Sequence, residues 1–131
     1  MTITQKLFVL AAMFFCHIVD DYYLQGILAQ MKQRKWWENN APDEQYKHDY
    51  IMALCEHAFS WSFVMSMPLL VVSFITQNEA MLGTVLMSYV FNTVIHAIVD
   101  NLKANVQALN LIQDQAIHFV QIAMLWWVAL F

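Results

Sequence analysis

The chain has 131 residues, of which 60% are hydrophobic and only 12% charged, about half the charge of a soluble domain. That excludes a disordered chain, and a soluble fold of this size has no room to hide five Trp, nine Phe and nine Met. A net charge of −4 with six dispersed Lys and Arg offers no basic patch for nucleic acid, and Cys16 and Cys55 form neither a CxxC pair nor a disulfide framework.

A membrane-spanning helix needs about 20 mostly apolar residues. Four stretches approach that length, at about 3–28, 50–75, 80–99 and 109–131. They predict an all-α, polytopic membrane protein of one domain, 1–131, with four transmembrane helices in an antiparallel bundle. The first stretch resembles a signal peptide in its apolar run. It carries one Lys only, however, and no small-x-small site follows before His17, Asp20 and Asp21. It is expected to be a retained span. Between the first two spans, Lys32, Arg34 and Lys35 precede Trp36 and Trp37, a pattern suited to an interfacial segment at headgroup level. Pro68 is expected to kink the second span, and Trp126 and Trp127 fit an outer aromatic belt. Lys32, Arg34, Lys35, Lys47 and Lys103 fall on one side of a four-span topology. The positive-inside rule makes that side cytoplasmic, with both termini outside.

Ionisable residues inside spans are costly and mark function. Here they are ordered. His17, Asp21 and Gln25 follow one another at intervals of four, as do Asn92, His96 and Asp100, and again Asn110, Asp114 and His118. Residues at i and i+4 share a helix face, so three spans each present a His/Asp stripe. The second span offers His57, preceded by Glu56, with Asp49 two turns earlier. His17 lies late in its span, His57 early, His96 late and His118 early. In an antiparallel bundle these four positions share one height, near the cytoplasmic end.

Four imidazoles and several carboxylates in one layer form a metal-ligand set. The candidates are His17, Asp21, His57, His96, Asp100, Asp114 and His118. The expected cofactor is one or two divalent ions, with Zn favoured and Mn or Fe accepted by the same donors. Either two ions sit together and activate water, or one ion takes the histidines while the aspartates orient them. Two other readings stand beside this: a structural His–Asp hydrogen-bond network, and an ion or proton pathway. Asp20 points about 100° away from Asp21 on a regular helix, so it either faces the headgroups or serves as a reserve ligand. His48 is expected to be solvated.

The order His17-x-x-x-Asp21-x-x-x-Gln25, His57-Ala58, His96-x-x-x-Asp100, Asp114-Gln115-x-x-His118 resembles a family of small bacterial and phage integral membrane proteins of unknown function. More distantly it is similar to membrane-bound predicted metal-dependent hydrolases. The resemblance spans nearly the whole chain. It implies a bacterial inner-membrane location and a metal-dependent hydrolase site at His17, Asp21, His57, His96, Asp100, Asp114 and His118. Gln25 and Gln115 match motif positions and are expected, with Asn92 and Glu56, to contact ligands or substrate. The functional expectation is hydrolysis of a lipid or other amphipathic ester, with Asp21, Asp100 and Asp114 as candidate catalytic carboxylates. Membrane lipids are the expected partners and a homo-oligomer is compatible. The rival expectation is a binding or regulatory membrane protein whose His/Asp cluster is structural.

Overall fold

The computed structural model describes residues 1–131 and contains helices without strands. Helix α1, Ile3–Val19, begins at a capping box in which the Thr2 side chain accepts from the Gln5 N–H and the Gln5 side chain accepts from the Thr2 N–H. It continues into a π-helical turn, Asp20–Leu24. Gly26 then takes a φ of +52°, which favours glycine, and the run ends. The first span therefore stops at Leu24 rather than Leu28.

The connection is itself helical in part: α2, Leu28–Met31, α3, Arg34–Asn40, and a 3₁₀ turn at Glu44–Tyr46. Helix α4, Asp49–Thr76, runs on through Pro68. Helix α5, Glu79–Ala104, starts at an Asn78 cap. It outlasts its apolar stretch by more than a turn, because Asn101–Ala104 keep helical geometry after hydropathy has fallen. Helix α6, Leu111–Leu130, opens with a second capping box, Asn110 with Gln113.

Helix α1 packs against α4 and α6, and α5 packs against α4 and α6. The four long helices thus close a ring in chain order, each antiparallel to its neighbours. One half of the interior is apolar, built from Val9, Met13, Trp61, Met65, Leu69, Met81, Val85, Ile122 and Leu125. The other half is polar and holds the four span histidines with four aspartates, all buried. The outside is the reverse of a soluble protein: Phe8, Met87 and Ile112 are about three-quarters or more exposed. In water such surface would be an aggregation patch.

Three segments are long and apolar enough to cross a membrane: Ile3–Leu24, Glu44–Thr76 and Glu79–Ala104. The fourth expected span, α6, has 20 residues, but Gln113, Asp114, Gln115, His118 and Gln121 lower its hydropathy. Length and hydropathy therefore support three crossings. Met65 is fully buried between the helices of the apolar half. Met65→Ala is expected to destabilise the bundle by about 2–4 kcal/mol, read as a lowered melting temperature in detergent.

Candidate metal centre

The antiparallel ring brings the three His/Asp stripes and His57 to one height, as their positions along the helices require. Ring centroids lie 5.0 Å apart for His57 and His96, 4.1 Å for His96 and His118, and 5.9 Å for His17 and His118. All four imidazoles are fully buried.

Four donor atoms converge most closely. His57 Nε2 is 3.2 Å from His96 Nε2, 3.3 Å from Asp21 Oδ1 and 3.4 Å from Asp100 Oδ2. His96 Nε2 is 3.8 Å from Asp100 Oδ2 and 4.0 Å from Asp21 Oδ1. A tetrahedral ion with bonds of 2.0–2.2 Å to nitrogen and oxygen has donor–donor edges of about 3.3–3.5 Å. The three edges from His57 lie close to that value, and the two from His96 to the carboxylates are longer, 3.8 and 4.0 Å. Asp21, His57 and His96 form one group able to hold a metal ion, and His96, Asp100 and His118 form another.

Asp20 is part of the cluster, which helical periodicity did not indicate. The π-helical turn adds a residue to the turn and rotates two consecutive aspartates inward. π-Turns occur frequently at functional sites for this reason. Asp20 Oδ1 accepts from the Ser60 hydroxyl at 2.7 Å, and Oδ2 lies 3.8 Å from His57 Nδ1. It stands behind His57, and at that distance neither atom has a hydrogen-bond partner.

His17 enters the layer but faces other partners. The indole N–H of Trp61, which can only donate, gives its proton to His17 Nδ1 at 2.7 Å. The His17 proton therefore sits on Nε2 and is donated to Gln115 Oε1 at 3.0 Å. With both ring nitrogens engaged, His17 has no lone pair free toward the four converging donors. Gln115 then donates its amide to Asp21 Oδ2 and Asp114 Oδ2, each at 3.1 Å. Trp61, His17 and Gln115 thus hold two carboxylates from different helices. Trp61 also stacks on His96, with centroids 4.1 Å apart. As a plain apolar residue in the sequence, it gave no sign of this role.

Two lysines, expected only to set topology or meet headgroups, reach into the centre. Lys32 Nζ donates to Asp100 Oδ2 and Lys103 Nζ to Asp114 Oδ2, each at 2.6 Å. Asn105 positions the first of them: its side chain donates to the Lys32 carbonyl and accepts from the Arg34 N–H. This pins the connection to the end of α5. Among the other expected contacts, Gln25 donates to the Asp21 carbonyl and stays at the edge. Asn92 accepts from Gln121 rather than meeting the donors. Glu56 and His48 are exposed and outside the cluster.

No family model, curated protein or solved structure matches the chain.

A buried carboxylate stripped of its cation is strongly destabilising. Lys32→Met leaves buried Asp100 without its ammonium partner. It is expected to lower metal-free stability by about 3 kcal/mol. Saturating divalent ion should remove most of that loss, because the ion takes over the carboxylate. Melting temperatures with chelator and with excess Zn²⁺ check both halves.

Proposed function

We propose that the chain is a four-span integral membrane protein that binds a divalent metal ion near the cytoplasmic face and hydrolyses an ester of a membrane amphiphile. The observation that carries this reading is the convergence of His96, Asp21 and Asp100 donor atoms on His57 Nε2, at 3.2, 3.3 and 3.4 Å, with Asp21, His57 and His96 forming a group able to hold an ion. Nitrogen and oxygen donors at that spacing suit Zn, and Mn or Fe accept the same donors.

The fourth crossing is supported by α6 itself. Twenty helical residues span about 30 Å, enough for the hydrocarbon core. Its low hydropathy comes largely from Asp114, His118 and Gln121, which are buried in the bundle, while Ile112, Phe119, Val120, Met124 and Trp127 face outward. Orientation rests on the five bases gathered at the centre's end of the bundle. The bacterial inner membrane follows from the motif resemblance.

A bound divalent ion supplies Lewis acidity and lowers the pKa of water near it. The protein's share is to hold reactants and move protons. Asp21, Asp100 and Asp114 are the carboxylates facing the centre, and one of them not bound to the ion would take the proton from water. The water oxygen bonds to the ester's acyl carbon or phosphorus, the bond to the alcohol breaks, and the proton passes to that alcohol. Placement near one membrane face suits a substrate whose headgroup enters while its chains stay in lipid. Lys32 and Lys103 border the centre and favour an anionic headgroup.

One observation favours a second reading. His17, Asp20, His57, His96, Asp114 and His118 are fully buried, and closed sites are the mark of structural metals. In that reading the ion fastens the helices of a regulatory membrane protein.

Elemental analysis of the detergent-purified chain tests the common core of both. At least one ion per chain is expected, with loss in His57→Ala and His96→Ala; equal metal in wild type and His96→Ala sinks the proposal. Ester hydrolysis that disappears with the metal selects the enzyme, and a metal-loaded but inert protein selects the structural reading. Loading should fall as pH is lowered, because protons compete for imidazole and carboxylate donors; a pH titration of bound metal measures this. Reporter fusions at the two termini should both read as outside.

A further inference from the structure

Beyond the four converging donors lie three electron-rich atoms in close array. His118 Nε2 is 3.5 Å from Asp114 Oδ1 and 3.5 Å from Asp100 Oδ1. His118 and Asp114 are fully buried, and His118 Nε2 and Asp114 Oδ1 have no hydrogen-bond partner. The imidazole is oriented by Gln121. Its amide nitrogen faces the two Asn92 oxygens at 3.3 and 3.4 Å. Its oxygen therefore accepts from His118 Nδ1 at 3.1 Å. That leaves Nε2, which carries a lone pair in the neutral ring, aimed at two carboxylate oxygens. Such an array is repulsive unless a proton or a metal cation lies within it.

The geometry points to a second divalent-ion position, held by Asp100 Oδ1, Asp114 Oδ1 and His118 Nε2, with the Asp100 carboxylate bridging the two ions. Asp100 has one oxygen on each side: Oδ2 faces His57 and His96, and Oδ1 faces His118. This inference rests on the metal centre proposed above. Paired ions about 3.5–4 Å apart are the arrangement that supports in-line displacement at phosphorus.

Charge then selects the substrate class. Four buried aspartates with Lys32 and Lys103 leave the centre at −2 when the imidazoles are neutral, which one divalent ion balances. A second ion leaves +2 in a low-dielectric interior. The second ion is therefore taken up together with a dianion, and a phosphate group has that charge. Lys32, displaced from Asp100 Oδ2 by the first ion, is placed to meet it. The centre is thus suited to a phosphate ester rather than a neutral carboxylic ester.

Equilibrium dialysis of the detergent-purified chain against Mn²⁺, with and without inorganic phosphate, tests this. Wild type is expected to bind two ions per chain, the second at least about 10-fold more tightly when phosphate is present. Asp114→Asn and His118→Gln, two independent near-isosteric changes, should each bind one. The Mn²⁺ electron paramagnetic resonance spectrum should change from an exchange-coupled pair in wild type to an isolated ion in either variant. One ion in wild type, with an isolated-ion spectrum and no effect of the variants, overturns the second position and leaves the first. Zero ions in wild type overturns both. Two ions with no response to phosphate overturns the substrate class.

Discussion

The constraint on which this bundle depends is the burial of negative charge. Asp20, Asp21, Asp100 and Asp114 come from three helices and sit within one layer, nearly inaccessible to solvent. An unpaired buried carboxylate is among the most costly groups a fold can carry. Every other feature of the polar half serves to compensate them. Lys32 and Lys103 bring two ammoniums in from the basic face. Ser60 and the Gln115 amide add hydrogen bonds. Two ammoniums against four carboxylates leave two negative charges for the four buried imidazoles, as imidazolium, or for a bound cation to balance.

The lysines give the centre two ways to be neutralised. An ammonium and a metal ion compete for Asp100 Oδ2, because the oxygen that accepts from Lys32 also faces His57 and His96. Asp114 divides its oxygens differently. Its Oδ2 is held by Lys103 and Gln115, while Oδ1 points at His118. A metal ion held there would therefore displace Lys32 but not Lys103. The connection carrying Lys32 is pinned through Asn105, which keeps its ammonium beside the centre.

Much of this was legible in the sequence because helix periodicity and membrane length are strong constraints. The i, i+4 spacing of His96 with Asp100 and of Asp114 with His118 put each pair on one face. The antiparallel order then put the four histidines at one height. What escaped has identifiable causes. Asp20 was placed about 100° away from the centre by regular helix geometry, and the π-helical turn removes that offset. His17 looked equivalent to the other histidines, but a tryptophan on another helix, Trp61, engages the nitrogen it would offer. Lys32 and Lys103 carried a topological signal strong enough to hide a local one. Helix α6 is weak by hydropathy for the reason that makes it informative: Asp114, His118 and Gln121 are buried in the bundle rather than in water.

The division of the interior into two halves also bears on whether the centre conducts. A proton or ion pathway must continue from the polar layer to the opposite face. Two buried hydroxyls, Ser62 and Ser66, lead in that direction without partners. Beyond them the ring is closed by Val9, Leu69, Val85 and Leu125, with Met81 and Ile122 alongside. Each of the four long helices contributes to that plug, and it contains no ionisable group. Crossing it would strip a proton or cation of every polar contact over more than one helical turn, a penalty of several kcal/mol or more. The polar centre is therefore closed toward the apolar half, and its chemistry ends where that half begins.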